Sequence, residues 1–171
     1  MDFAAMNMFL SEDNMKKHLD YLHTLEARLS IILKSIPSSE GRDIDRALCG
    51  RLDRKTKDEI KLLLWHVRSH KCFFDSFSTK PANNIPELKK QKLLYDIFLA
   101  AKGADYGYLY ILGDRSRPII KLCNDYDGAF VDYHPFLAID LYEHVYFADY
   151  GFAGEKFLRN ALAYLDLSKL P

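Results

Sequence analysis

From Met15 to Leu33 the apolar residues fall three or four apart: Met15, Leu19, Leu22, Leu25, Leu29, Ile32 and Leu33. That spacing marks one face of a helix and is wrong for a strand, so the first segment must bury a stripe against a second element. Ser11 precedes the stripe as a candidate N-cap, with Glu12 and Asp13 in the first turn, although Asn14 stands where a capping box carries Glu. The turn formers of Pro37-Ser-Ser-Glu-Gly41 end the helix. The polar stretch from Arg42 to Asp58 reads as a loop with a short helical turn. A second stripe through Ile60, Leu63, Leu64, Val67, Cys72, Phe73 and Phe74 then predicts a partner helix.

Ser78-Thr-Lys-Pro-Ala-Asn-Asn84 is the clearest linker, since Pro81 disfavours a helical residue before it. The periodicity changes beyond it. Glu87 to Ala101 reads as a helix stopped by Gly103, and Tyr106 to Leu112 is aromatic and branched, as a strand should be. A turn over Gly113 to Pro118 and a second strand over Ile119 to Cys123 complete a hairpin. Phe136 to Ile139 suits a third strand, with helices over Leu141 to Tyr150 and Glu155 to Leu165. The expected fold class is α+β. An N-terminal helical hairpin domain covers residues 1–80, and a C-terminal α/β domain with a small three-stranded antiparallel sheet covers 81–171.

Charge and composition exclude some functions. Lys plus Arg and Asp plus Glu are both 24 in 171 residues, so the formal charge is zero and the basic footprint of a nucleic-acid binder is missing. No apolar run reaches the length of about 20 residues that a membrane helix needs. MDFAAMNMFLSED lacks a basic n-region, and Cys49, Cys72 and Cys123 form no C-x-x-C pair. The expectation is a cytoplasmic protein with reduced thiols and no membrane or nucleic-acid partner. A neutral chain also favours self-association.

The six histidines are His18, His23, His66, His70, His134 and His144. His18 shares the apolar face of the first helix, where an imidazole needs a partner to offset its desolvation, and a metal is one candidate. His66 and His70 are four apart on the second helix and face the core side together. Two readings stay open for that pair: joint chelation, or one inward and one flanking residue. Asp140 ends an apolar strand, and His144 follows four residues later in the adjoining helical turn, so carboxylate and imidazole can converge on one ion.

Asp140-Leu-Tyr-Glu-His-Val-Tyr-Phe-Ala-Asp-Tyr150 resembles the D-V-W-E-H-A-Y-Y-x-x-Y signature of the iron/manganese superoxide dismutase family. Ser69-His-Lys-Cys-Phe-Phe74 resembles the family's N-H-x-x-F/Y-W segment, and Leu10 to His18 resembles its first-helix segment. Gly103-Ala-Asp-Tyr-Gly-Tyr-Leu109 is similar to its G-S-G-W-x-W-L strand with tyrosines for both tryptophans, and Pro135 to Asp140 keeps its approach to the ligand Asp. The resemblance runs in order from residue 10 to about 165. It implies one iron or manganese ion per subunit, with iron slightly favoured, held by His18, His70, Asp140 and His144. It also implies superoxide as substrate and a homodimer through the Glu143/His144 region, where Glu143 meets the partner's ligand histidine.

The chain departs from the family pattern in several places. The outer-sphere hydrogen-bonding group falls on His66 by the iron-type spacing, or on Asn124 by the manganese-type one, and Tyr142 takes the place of a pocket Trp. The gateway His and Tyr positions hold Leu22 and Glu26, and the Tyr that a partner would supply is Phe147. Losing both members of that bonded pair is self-consistent, since losing one would strand a buried polar group. An ionised Glu26 near the mouth would repel an anion, and Tyr21 or His23 are the polar residues able to substitute. The N-terminal arm is short, which implies weaker packing over the first helix.

Three function classes follow: a superoxide dismutase, a non-catalytic metal-binding or structural homologue on the same fold, and a metal-dependent hydrolase. The last has no dedicated general base or substrate pocket in the sequence to support it.

Overall fold

The computed structural model describes residues 2–36, 44–80, 85–102, 104, 106–114, 116–124 and 135–171, with the backbone alone at 45, 46 and 114. The expected helix stop at 37–41, the last four residues of the linker at 81–84, Gly103 and His134 lie outside the described residues.

The first element is a short helix, α1 (Phe3–Met6), capped by the Asp2 side chain. The long helix α2 (Glu12–Ser35) follows, and Ser11 caps it by accepting from the Asn14 N–H at 3.2 Å. The sequence did not suggest α1, which is one turn long. It shares the core with Phe9 and Leu10: Ala5, Met6, Phe9 and Leu10 are all buried. Phe9 lies against Phe77 and Phe157, and Tyr150 donates its hydroxyl to the Phe9 carbonyl at 2.5 Å.

The polar stretch after α2 holds more helix than expected. A one-and-a-half-turn helix, α3 (Ile44–Cys49), precedes α4 (Arg54–Asp75), which starts six residues before the first apolar residue of its stripe. Asp53 sets that start, because its side chain accepts from both the N–H and the hydroxyl of Thr56. A cap overrides the polar composition of the first turn. Helices α2 and α4 pack as an antiparallel pair, and each turns its apolar face inward.

Helix α5 (Glu87–Lys102) leads into a three-stranded antiparallel sheet of β1 (Tyr108–Asp114), β2 (Arg117–Cys123) and β3 (Leu137–Asp140), in the order β2-β1-β3. The strands reach further into the hairpin than the sequence suggested, because the pairing extends to Asp114 and Arg117. Pro118 is tolerated within β2 because β2 is an edge strand. Central β1 is buried on both faces: Tyr108 and Tyr110 face α4, and Leu109 and Ile111 face the opposite way. Helices α6 (Glu143–Tyr150) and α7 (Gly154–Ala163) and a 3₁₀ turn (Leu167–Lys169) close the chain.

Candidate metal centre

Hydrogen bonds between α2 and α6 and between α4 and β3 bring four elements to one point. Asn14, at the start of α2, donates its side-chain amide to the Val145 carbonyl at 2.7 Å and to Asp149 at 3.0 Å. The Ser11 N–H also donates to Asp149, at 2.8 Å, so the first turn of α2 is fixed to α6. Ser76, at the end of α4, accepts from the Ala138 N–H of β3 at 2.7 Å. The sheet register then places Tyr108 opposite Asp140.

His18 on α2, His70 on α4, Asp140 at the end of β3 and His144 in the first turn of α6 meet where these contacts converge. One candidate ligand atom from each lies within 4.8 Å of all the others. Asp140 Oδ2 is 3.4 Å from His18 Nε2, 3.6 Å from His70 Nε2 and 3.8 Å from His144 Nε2. Those separations are too long for good hydrogen bonds. They suit donors that share one ion at about 2.1 Å each. Among the described residues this is the one group of three or more His, Cys, Asp or Glu side chains that converges in this way.

The hydrogen bonds around the quartet leave its inner atoms bare. The Tyr142 N–H donates to Asp140 Oδ1 at 3.0 Å, which leaves Oδ2 facing inward. His70 Nδ1 lies 2.7 Å from the His66 carbonyl, an obligate acceptor, so Nδ1 carries the proton and Nε2 presents a lone pair. His18 Nδ1 and Nε2, His70 Nε2 and Asp140 Oδ2 are buried without a hydrogen-bond partner. Four orphaned polar atoms at one point cost several kcal/mol together at about 1–3 kcal/mol each. A cation removes that cost, so the residues fit a metal ion.

The electrostatics agree with the fit. Burial lowers the His18 pKa to about 4. Burial also takes His70 to about 4, against the opposing pull of Asp140. His144 is lowered too, mainly by desolvation. Neutral imidazoles are the ligating form. Burial raises the Asp140 pKa against the pull of the histidines, so its carboxylate lacks a full counter-charge. Three nitrogens and one carboxylate oxygen, with no thiolate, suit a first-row redox metal such as iron or manganese.

The structure places the other expected residues with varying closeness. His66 is half-buried beside the quartet, with its ring 6.3 Å from that of His70 and 6.4 Å from that of Tyr142. Tyr142 stacks on His144 at 5.7 Å and donates its hydroxyl to the Asn124 carbonyl, so Asn124 reaches this shell through its backbone. Glu143 is exposed on α6. Leu22 is buried in the core, and Phe147 is exposed and packs on Phe152. Glu26 is bridged to Lys71 at 2.6 Å, so its charge has a counter-charge.

Of the two substitutes considered, Tyr21 lies over the rings of His70 and His144 at 5.4 and 5.1 Å, while His23 is exposed. The role of Tyr108 was missed. Its hydroxyl is 2.8 Å from His70 Nδ1. The signal was present in the sequence as a phenol at a position where the resembling family carries an indole, which has no oxygen.

No curated protein sequence matches the chain. Residues 86–170 match the model of the iron/manganese superoxide dismutase C-terminal domain, a span that contains Asp140, His144 and the strands β1, β2 and β3. Through that span, the chain belongs to the iron/manganese superoxide dismutase family.

Proposed function

We propose that this protein is a superoxide dismutase whose single iron or manganese ion is held by His18, His70, Asp140 and His144. The observation that carries the reading is the set of orphaned atoms of His18, His70 and Asp140 at one buried point. Such an ion supplies one-electron chemistry between its +2 and +3 states, so that one superoxide is oxidised to dioxygen and another is reduced to hydrogen peroxide with two protons.

The chain's own side chains do the rest. Tyr142 holds Asp140 through its N–H and lines the pocket with its ring. His66 is the nearest further imidazole and is proposed to hold a proton beside the site; burial keeps it mostly neutral. Tyr21 packs on the rings of His70 and His144, and it is proposed to limit access to small anions. Glu143 is proposed to meet the partner's His144 in a homodimer, with Phe147, four residues further along α6, and Phe152, packed on it, both exposed.

No described helix is long and apolar enough to cross a membrane, and no disulfide joins Cys49, Cys72 and Cys123. Both facts are compatible with the proposed cytoplasmic location.

Leu22 and the Glu26–Lys71 bridge favour a second reading, a metal-binding homologue without turnover. Azide added to the iron-loaded protein separates the two. A change in visible absorption means an open coordination position and supports the dismutase. An unchanged spectrum at full iron occupancy supports the second reading.

A further inference from the structure

Tyr108 and Tyr110 lie on one face of β1 with rings stacked 6.0 Å apart at 4°, and both are buried. Their hydroxyls have different work. Tyr110 accepts from Trp65 Nε1 at 2.8 Å and bonds Ser69 Oγ at 2.6 Å. Ser69 in turn donates to the Trp65 carbonyl at 2.7 Å. That loop ties β1 to α4 and includes none of the four converging residues.

The Tyr108 hydroxyl instead lies 2.8 Å from His70 Nδ1, with His66 Nδ1 at 3.5 Å on its other side. His70 Nδ1 already faces the His66 carbonyl at 2.7 Å, so its single proton has two acceptors. The phenol oxygen is the second. Its own proton is then directed toward the His66 ring.

We infer that Tyr108 is a positioning residue for the metal centre: by sharing the Nδ1 proton of His70 it fixes that ring and raises the donor strength of its Nε2. The inference rests on His70 being a ligand. A hydrogen-bond partner on the far nitrogen of a ligating histidine makes the near nitrogen more basic, and its loss typically costs about 10–100-fold in metal affinity. The His66 carbonyl remains as an acceptor, so the lower end applies here.

The test titrates manganese(II) into metal-free protein against a competing chelator. Tyr108→Phe is expected to bind about tenfold more weakly, and Tyr110→Phe, which removes an equally buried hydroxyl, to stay within about threefold of wild type. In the zinc-loaded proteins the His70 Nδ1 proton resonance should move in Tyr108→Phe and stay in Tyr110→Phe, a difference that a general loss of packing does not produce. Equal losses in the two variants, or no loss in Tyr108→Phe, overturn the inference. His70→Ala isolates the premise: wild-type affinity in that variant removes His70 from the ligand set whatever Tyr108 does. Should Tyr108→Phe not fold, the zinc-loaded wild type decides. A cross-peak between the His70 Nδ1 proton and the Tyr108 ring is expected, and its absence overturns the inference.

Discussion

The Tyr142 N–H holds Asp140 Oδ1 at 3.0 Å, and that bond leaves Oδ2 as the carboxylate oxygen facing His18, His70 and His144. The sequence neighbour thus orients the carboxylate before any ion arrives. Asp140→Asn keeps the shape and an acceptor for the Tyr142 N–H but removes the charge. Metal affinity should fall at least about a hundredfold, because a hard cation loses its one anionic donor. The metal-free variant should unfold at the same or higher temperature than metal-free wild type, since burial already opposes the charge of Asp140. Chelator competition and thermal unfolding check the two halves; a metal-free variant that is markedly less stable would contradict the account.

Position 22 shows how a family pattern can be closed off by packing. Leu22 is 1% exposed within the core, and the position from which a partner subunit would supply a Tyr hydroxyl holds Phe147, which offers no hydrogen bond. Leu22→His therefore buries an imidazole without its usual partner. The expected result is a loss of about 2–4 kcal/mol of unfolding free energy with no gain in turnover. Urea unfolding measures it, and an unchanged midpoint would mean that the site opens to solvent.

Glu26 is the acidic residue expected to repel anions, and Lys71, which directly follows His70, bridges it at 2.6 Å. Glu26→Gln frees the lysine charge one residue beyond His70. Azide affinity of the iron-loaded protein should rise about two- to threefold at low ionic strength, and the gain should vanish near 1 M salt, where the screening length is about 3 Å. A gain that persists at high salt would point to a steric cause.

Acid should destabilise the metal-free protein. His18 and His70 titrate at about 4 when folded against an ordinary 6.5, so between those values the unfolded chain binds protons that the folded chain refuses. Stability therefore falls as pH drops from about 6.5 toward 4. His66 and His144 act in the same direction, and the raised Asp140 acts in the opposite one. Four histidines against one aspartate leave a net loss of a few kcal/mol between pH 7 and 4.5. Urea midpoints at the two values measure it; an equal or higher midpoint at pH 4.5 would contradict the burial of neutral imidazoles.

Much of the frame is legible in periodicity. The spacing of three and four that marks α2 also puts His18 on its buried face, and the strand-then-turn pattern puts Asp140 and His144 at one corner. Of the His66/His70 pair, His70 turns fully inward and His66 flanks it, which follows from helix rotation relative to the sheet and cannot be read from a spacing of four. Capping hides the start of α4, because Asp53 nucleates a turn whose composition is polar. The Tyr108 contact and the Glu26–Lys71 bridge join residues far apart or on different elements, so only packing reveals them.

Superoxide decay is the most direct test of the central claim. The protein is loaded separately with iron and with manganese, bound metal is counted per chain, and the decay rate is scored per bound ion. The account predicts one ion per chain and catalysed decay in at least one of the two forms, lost in His144→Ala together with the metal. Full occupancy in both forms with decay no faster than in the metal-free protein would contradict it.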